Sequence, residues 1–139
     1  MTFAGTNYLA VVVAAIAGWL TGAVWYGAVF GKPWMAANNI TADSAKARGV
    51  SPLPFILAFV AQLVMAWMLA GALGHLGPGQ VTIRNGVISA AFLWHGFVLT
   101  TLAVNNTFAG RKPVLLAIDG GHWLAVMGVI GAIIGAFGV

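Results

Sequence analysis

The chain has 139 residues, of which 61% are hydrophobic and 6% charged, and carries a net charge of +4. So apolar a composition at this length excludes an ordinary soluble domain and predicts an all-α integral membrane protein. With no cysteine present, disulfides, thiolate metal sites, iron–sulfur clusters and thioether-linked haem are excluded as well.

Four windows are long and apolar enough to cross a bilayer as helices: residues 7–30, 53–75, 84–108 and 114–137. All five prolines fall between these windows or in their first turns, at Pro33, Pro52, Pro54, Pro78 and Pro113, which supports the boundaries independently of hydropathy. The expectation is a single transmembrane domain over residues 1–139, a bundle of four helices. The first window reads as a retained span and not as a signal peptide, because Met1 to Asn7 contains no Lys or Arg. After it, residues 41–49 predict a short helix: Thr41 can cap it, Asp43 lies in its first turn, Lys46 and Arg48 lie in its last, and Gly49 can end it. Lys32, Lys46 and Arg48 occupy the first loop and Arg111 and Lys112 the third, whereas the second region offers only Arg84. The bias toward positive charge inside then places loops one and three, and the short helix, in the cytoplasm, with both termini outside. Anionic lipid headgroups suffice as partners for the positive charge, and no nucleic acid is expected.

At an offset of 80, Thr21, Ala23, Val24, Lys32 and Pro33 match Thr101, Ala103, Val104, Lys112 and Pro113, the pattern a duplicated helical hairpin would leave. Small residues recur at spacing four: Ala14, Gly18 and Gly22; Ala66, Ala70 and Gly74; Gly86 and Ala90; Gly131 and Gly135. Such stripes let helix backbones approach closely in lipid. The fourth window carries small residues on more than one side, at Gly121, Ala125, Gly128, Ala132 and Gly135, which motivates a homo-oligomer.

The first span and its exit read Asn7-Tyr-Leu-Ala-Val, Gly18-Trp19, Trp25-Tyr26-Gly27 and Phe30-Gly31-Lys32-Pro33-Trp34, followed downstream by Leu53-Pro54 and Val64-Met65-Ala66. In these tracts, and more loosely to its end, the chain resembles an uncharacterised bacterial membrane-protein family, domain of unknown function 1761. The resemblance implies a small four-span protein of the bacterial inner membrane and brings no activity with it.

The most informative residue is Asp119, one of only two acidic side chains, because it lies inside an apolar window three residues before His122. A carboxylate there needs a protein interior and a partner. Counted at about 1.5 Å per residue, Tyr26, Asn105, Asn106 and Asp119 fall roughly 6 to 9 Å into their helices and form one layer. His122 lies one turn deeper on a neighbouring face, and His95, eleven residues from Asn106, returns to nearly the same face as that asparagine. These residues outline a polar path from the cytoplasmic surface toward mid-membrane, either a titratable, cation-attracting site or a clamp that holds helices together.

Trp19, Trp67, Trp94 and Trp123 lie one to each span away from the headgroup levels, so they form either an aromatic pocket or bulky packing opposite the glycine stripes. Haem or another planar cofactor is the sharpest form of the pocket reading, but His95 and His122 differ in depth by roughly 8 Å. No cofactor is predicted. Motifs of soluble hydrolases, kinases and zinc enzymes are absent, which leaves an enzyme unsupported. The expected function is small-solute or ion permeation through an oligomeric bundle, with Asp119 and His122 as the selective pair. An accessory or scaffolding subunit of a larger membrane complex and a pigment-binding protein are the alternatives.

Overall fold

A computed structural model describes residues 5–138. It consists of helices with no strand among the described residues: α1 Tyr8–Val24, α2 Gly31–Ala37, α3 Ala42–Arg48, α4 Leu53–Gly74, α5 Ile83–Leu93, α6 Thr100–Phe108 and α7 Pro113–Phe137. Two π-helical segments interrupt this series, Trp25–Val29 after α1 and Trp94–Leu99 between α5 and α6. Four continuous helical stretches are long and apolar enough to cross a membrane: Tyr8–Val29, Leu53–Gly74, Ile83–Phe108 and Pro113–Phe137. The protein is thus a multi-pass membrane protein.

Local chemistry sets the helix ends. The Asn7 side chain accepts from the Ala10 amide at 3.1 Å, Thr82 accepts from Asn85, and α4 and α7 begin at prolines whose missing N–H is harmless in a first turn. Thr41 and Ser44 form a reciprocal capping box at the start of α3, and Gly49, at φ 72°, ends it. Helices α2 and α6 share one termination. Backbone bonds run from Asn39 to Ala36 and Ile40 to Met35 after α2, and from Gly110 to Thr107 and Arg111 to Asn106 after α6. Each is a Schellman pair closed by a left-handed residue, Asn39 at φ 57° and Gly110 at φ 67°.

Helix α7 is the centre of the bundle, packing on α1, α5 and α4. Ala10, Ala14 and Ala15 of α1, Ala66, Leu69, Ala70 and Leu73 of α4, Ala90 of α5, and Val126, Ile130 and Ile134 of α7 are the buried core. The closest approach joins α5 to α7: a methyl group built on Gly86 would strike the Gly131 carbonyl oxygen, and one on Gly131 would strike that of Gly86. Only glycine permits this contact, in which dispersion and backbone polarity replace side-chain packing. The small-residue stripes of the four spans therefore face inward, whereas Gly128 of α7 has open space beside it.

The offset of 80 is only partly expressed in the fold. Thr21 and Thr101 both donate to the carbonyl four residues back, Ala17 at 2.8 Å and Phe97 at 2.5 Å. The π segments, however, lie after Thr21 in one span and before Thr101 in the other. The two hairpins are not superposable in register there.

A polar ladder along the first span

The exit of the first span, α2, the end of α6 and the start of α7 converge on Asp119. The Schellman turn at Gly110 carries Arg111 back over the helix it has just left. From there its guanidinium donates to the Asn106 side-chain oxygen at 3.2 Å and to that of Asn38 at 3.4 Å, and it lies 3.6 Å from the Asp119 carboxylate. Asn38 is held in turn by its own donation to the Trp34 carbonyl at 2.9 Å. The Tyr26 hydroxyl donates to the other Asp119 oxygen at 2.5 Å. Asp119 thus has a cation and a phenol as partners, and its side chain is 13% exposed against 32% for Arg111.

The π segments flank this carboxylate. Each opens on a tryptophan whose indole N–H donates to α7, Trp25 to the Ile118 carbonyl at 3.1 Å and Trp94 to the Gly120 carbonyl at 2.9 Å. Wide turns change the facing of the residues beyond them, a reason such segments recur at functional sites. Here the first contains Tyr26 itself. Gly121 leaves room for the Trp25 ring, against which an added methyl would press at 3.0 Å.

From Asp119 the polar groups continue inward. The Tyr26 ring contacts the His122 ring at 4.9 Å between centroids, and His122 in turn contacts Trp123 at 4.7 Å. Gly22, one turn before Tyr26, faces His122 Nε2, and Gly18, one turn further, faces Gln62 Oε1. Asp119, His122 and Gln62 therefore lie against successive turns of α1, a ladder about 12 Å long at about 1.5 Å per residue. Gln62, His122 and Asn106 are 2%, 6% and 7% exposed, and each has one side-chain atom, Oε1, Nδ1 and Nδ2 respectively, without a hydrogen-bond partner.

Of the residues singled out from the sequence, the structure brings together Tyr26, Asn106, Asp119 and His122. It does not bring in Asn105 or His95, both exposed on the third span. The physical reason for His95 is the π segment Trp94–Leu99, which begins beside it. An extra residue within a turn rotates everything beyond by roughly a quarter-turn, which voids a face counted at 100° per residue. The four tryptophans do not form one pocket. Trp19 donates its N–H to the Phe55 carbonyl at 3.1 Å and lines a groove between α1 and α4, Trp94 and Trp123 pack on the core, and Trp67 is 39% exposed.

Arg111, Asn38, Trp25 and Gln62 were not recognised as site residues. Gln62 had a signal: it is the one strongly polar side chain within α4. Arg111 had a weaker one, since it follows the turn residue Gly110 and precedes Asp119 by eight residues.

No curated protein and no solved structure matches the chain. A family described as a protein of unknown function, DUF1761, matches residues 9–135, so nearly the whole length is covered. With four helices able to span a membrane and a polar ladder against the first of them, the chain belongs to that family.

Proposed function

We propose that the protein is a permeation or transport subunit that admits protons or a small polar solute into the membrane interior along the Asp119–Tyr26–His122–Gln62 ladder. One observation carries this reading: three almost wholly buried polar side chains, Asn106, His122 and Gln62, each keep an atom without a protein partner inside an apolar bundle. An unsatisfied buried polar atom costs about 1–3 kcal/mol, and apolar residues of similar size would remove that cost. Polar groups set against the successive Gly18 and Gly22 turns of one helix are suited to passing a proton or a hydrogen-bonding solute from one to the next. Arg111 and Asp119 form the entrance, and the positive-inside bias makes it cytoplasmic. The ladder ends at Gln62, where Val126 and Ile130 close around Gly18, so a complete crossing requires a movement or a second chain.

Flux into liposomes tests the reading. Wild type is expected to conduct protons or one of a panel of small polar solutes, and Asp119→Asn and Gln62→Leu are expected to reduce that flux at least tenfold. Variants that conduct like wild type would remove the ladder from the function.

A second reading, an accessory or self-associating subunit, is favoured by the third span. In its apolar window only 6% of residues are buried within the chain, and His95 is exposed near the middle of its length. A histidine facing lipid is costly, and another helix covering it would supply a partner. Native mass spectra after gentle extraction separate the cases: a homo-oligomer suits permeation, a stoichiometric foreign chain suits an accessory role, and a bare monomer removes both assemblies.

A further inference from the structure

A large concavity lies apart from the ladder. It is an open groove of about 780 Å³ between α1 and the start of α4, within the size range of small-molecule sites. Its walls are apolar, with Ile16, Trp19, Phe55, Ile56 and Phe59 among them, and Val50 and Pro52 form its rim. The Trp19–Phe55 hydrogen bond and the edge-to-face contact of Trp19 with Phe59, at 6.4 Å, fix one side of it.

At the rim a second concavity begins, of about 220 Å³, between α2 and α3. Its walls are mixed: Trp34, Met35 and Ile40 on one side, Ser44 and Arg48 on the other. Gly49 lines the second and the next residue, Val50, lines the first, so the two lie on either side of one peptide, where α3 has ended and the chain turns toward α4. Arg48 lines the second concavity, Lys32 and Lys46 are exposed elsewhere on the same two short helices, and Asp43, at the opposite end of α3, is the only acidic side chain on them. None of the three cations is ion-paired with a described carboxylate, since the one such pair joins Arg111 to Asp119.

We propose that these two concavities form one site for an anionic glycerophospholipid, with an acyl chain in the groove against Trp19, Phe55 and Phe59 and the headgroup at Arg48. Charge complementarity selects this occupant. A hydrocarbon chain gains little by leaving other lipid tails, because they are as apolar as the groove. The groove therefore accepts any chain, and preference comes from the head. A basic side chain beside an anionic headgroup contributes about fivefold in affinity, so Arg48 gives a preference of about fivefold over a zwitterionic lipid.

The test offers phosphatidylglycerol and phosphatidylcholine with identical chains to delipidated protein and counts retained lipids by native mass spectrometry. Wild type is expected to retain one phosphatidylglycerol in about fivefold preference. The variant Arg48→Gln, altered only at an exposed position, is expected to bring the two lipids to near parity. Ile56→Trp, which fills the groove, is expected to lower retention of both. A photoactivatable phosphatidylglycerol in nanodiscs gives an independent readout and is expected to label peptides containing residues 50–59. Equal retention of both lipids by wild type, an unchanged ratio in Arg48→Gln, or labelling spread over the third span would overturn the proposal. A cross-link between two copies through the groove would also overturn it, since the groove would then hold protein.

Discussion

Neutralising one partner of the Arg111–Asp119 pair should show how the entrance is held together. At 3.6 Å and an effective dielectric constant of about 20, two unit charges attract by about 4–5 kcal/mol. Arg111 is 32% exposed and the separation exceeds that of a good charged hydrogen bond, so solvent screening brings the expected coupling down to about 2 kcal/mol. Arg111→Gln leaves Asp119 enclosed beside Tyr26 and also loses the bonds to Asn106 and Asn38, a cost of about 2–4 kcal/mol. Asp119→Asn retains an acceptor for Tyr26 and leaves the cation nearer to water, so about 1–2 kcal/mol is expected. The double variant should then be less damaged than the sum of the single ones by about that 2 kcal/mol. Reversible unfolding by sodium dodecyl sulfate in mixed micelles, followed by tryptophan fluorescence, measures all four proteins. Additivity within about 0.5 kcal/mol would refute the pair as a link and leave Tyr26 as the main partner of Asp119.

The remaining predictions concern packing and the inner ladder. Gly86→Ala should destabilise by about 1–3 kcal/mol, because its methyl meets the Gly131 carbonyl, whereas Gly96→Ala, with open space around it, should be neutral or stabilising in the same assay. Gln62→Leu should leave stability unchanged or raise it by about 1 kcal/mol while it lowers flux; a loss of stability without a loss of flux would make Gln62 structural. Trp25→Phe removes the bond to the Ile118 carbonyl and should cost about 0.5–1.5 kcal/mol, with a matching shift in the unfolding midpoint.

Much of the architecture was legible in the sequence because it depends on composition and on backbone chemistry. Apolar windows and prolines marked four spans, and Thr41 and Gly49 marked the short helix that the fold contains at Ala42–Arg48. Asp119 stood out for an equally simple reason, a carboxylate in an apolar run. What escaped depends on geometry that a regular 3.6-residue period cannot express. The π segments have no sequence signature of their own, and the second separates His95 from the face of Asn106. Arg111 carries the same charge wherever it points. Only the left-handed turn at Gly110, which folds it back on Asn106, turns a loop cation into the partner of Asp119.

The central helix of the bundle is also the last of the four in chain order. Until α7 enters the membrane, Gly86 of α5 lacks the Gly131 backbone it fits, Gly22 of α1 lacks the His122 ring, and Tyr26 waits across 93 residues for Asp119. The earlier spans therefore reach the bilayer before their central partner, and the packing that depends on α7 forms only after it follows them. In the interval Tyr26 and Gln62 meet lipid or the translocation machinery, which makes the nascent three-span protein the species most exposed to membrane quality control. A substitution that slows the docking of α7 would lower the amount of protein even where the finished bundle is as stable as before.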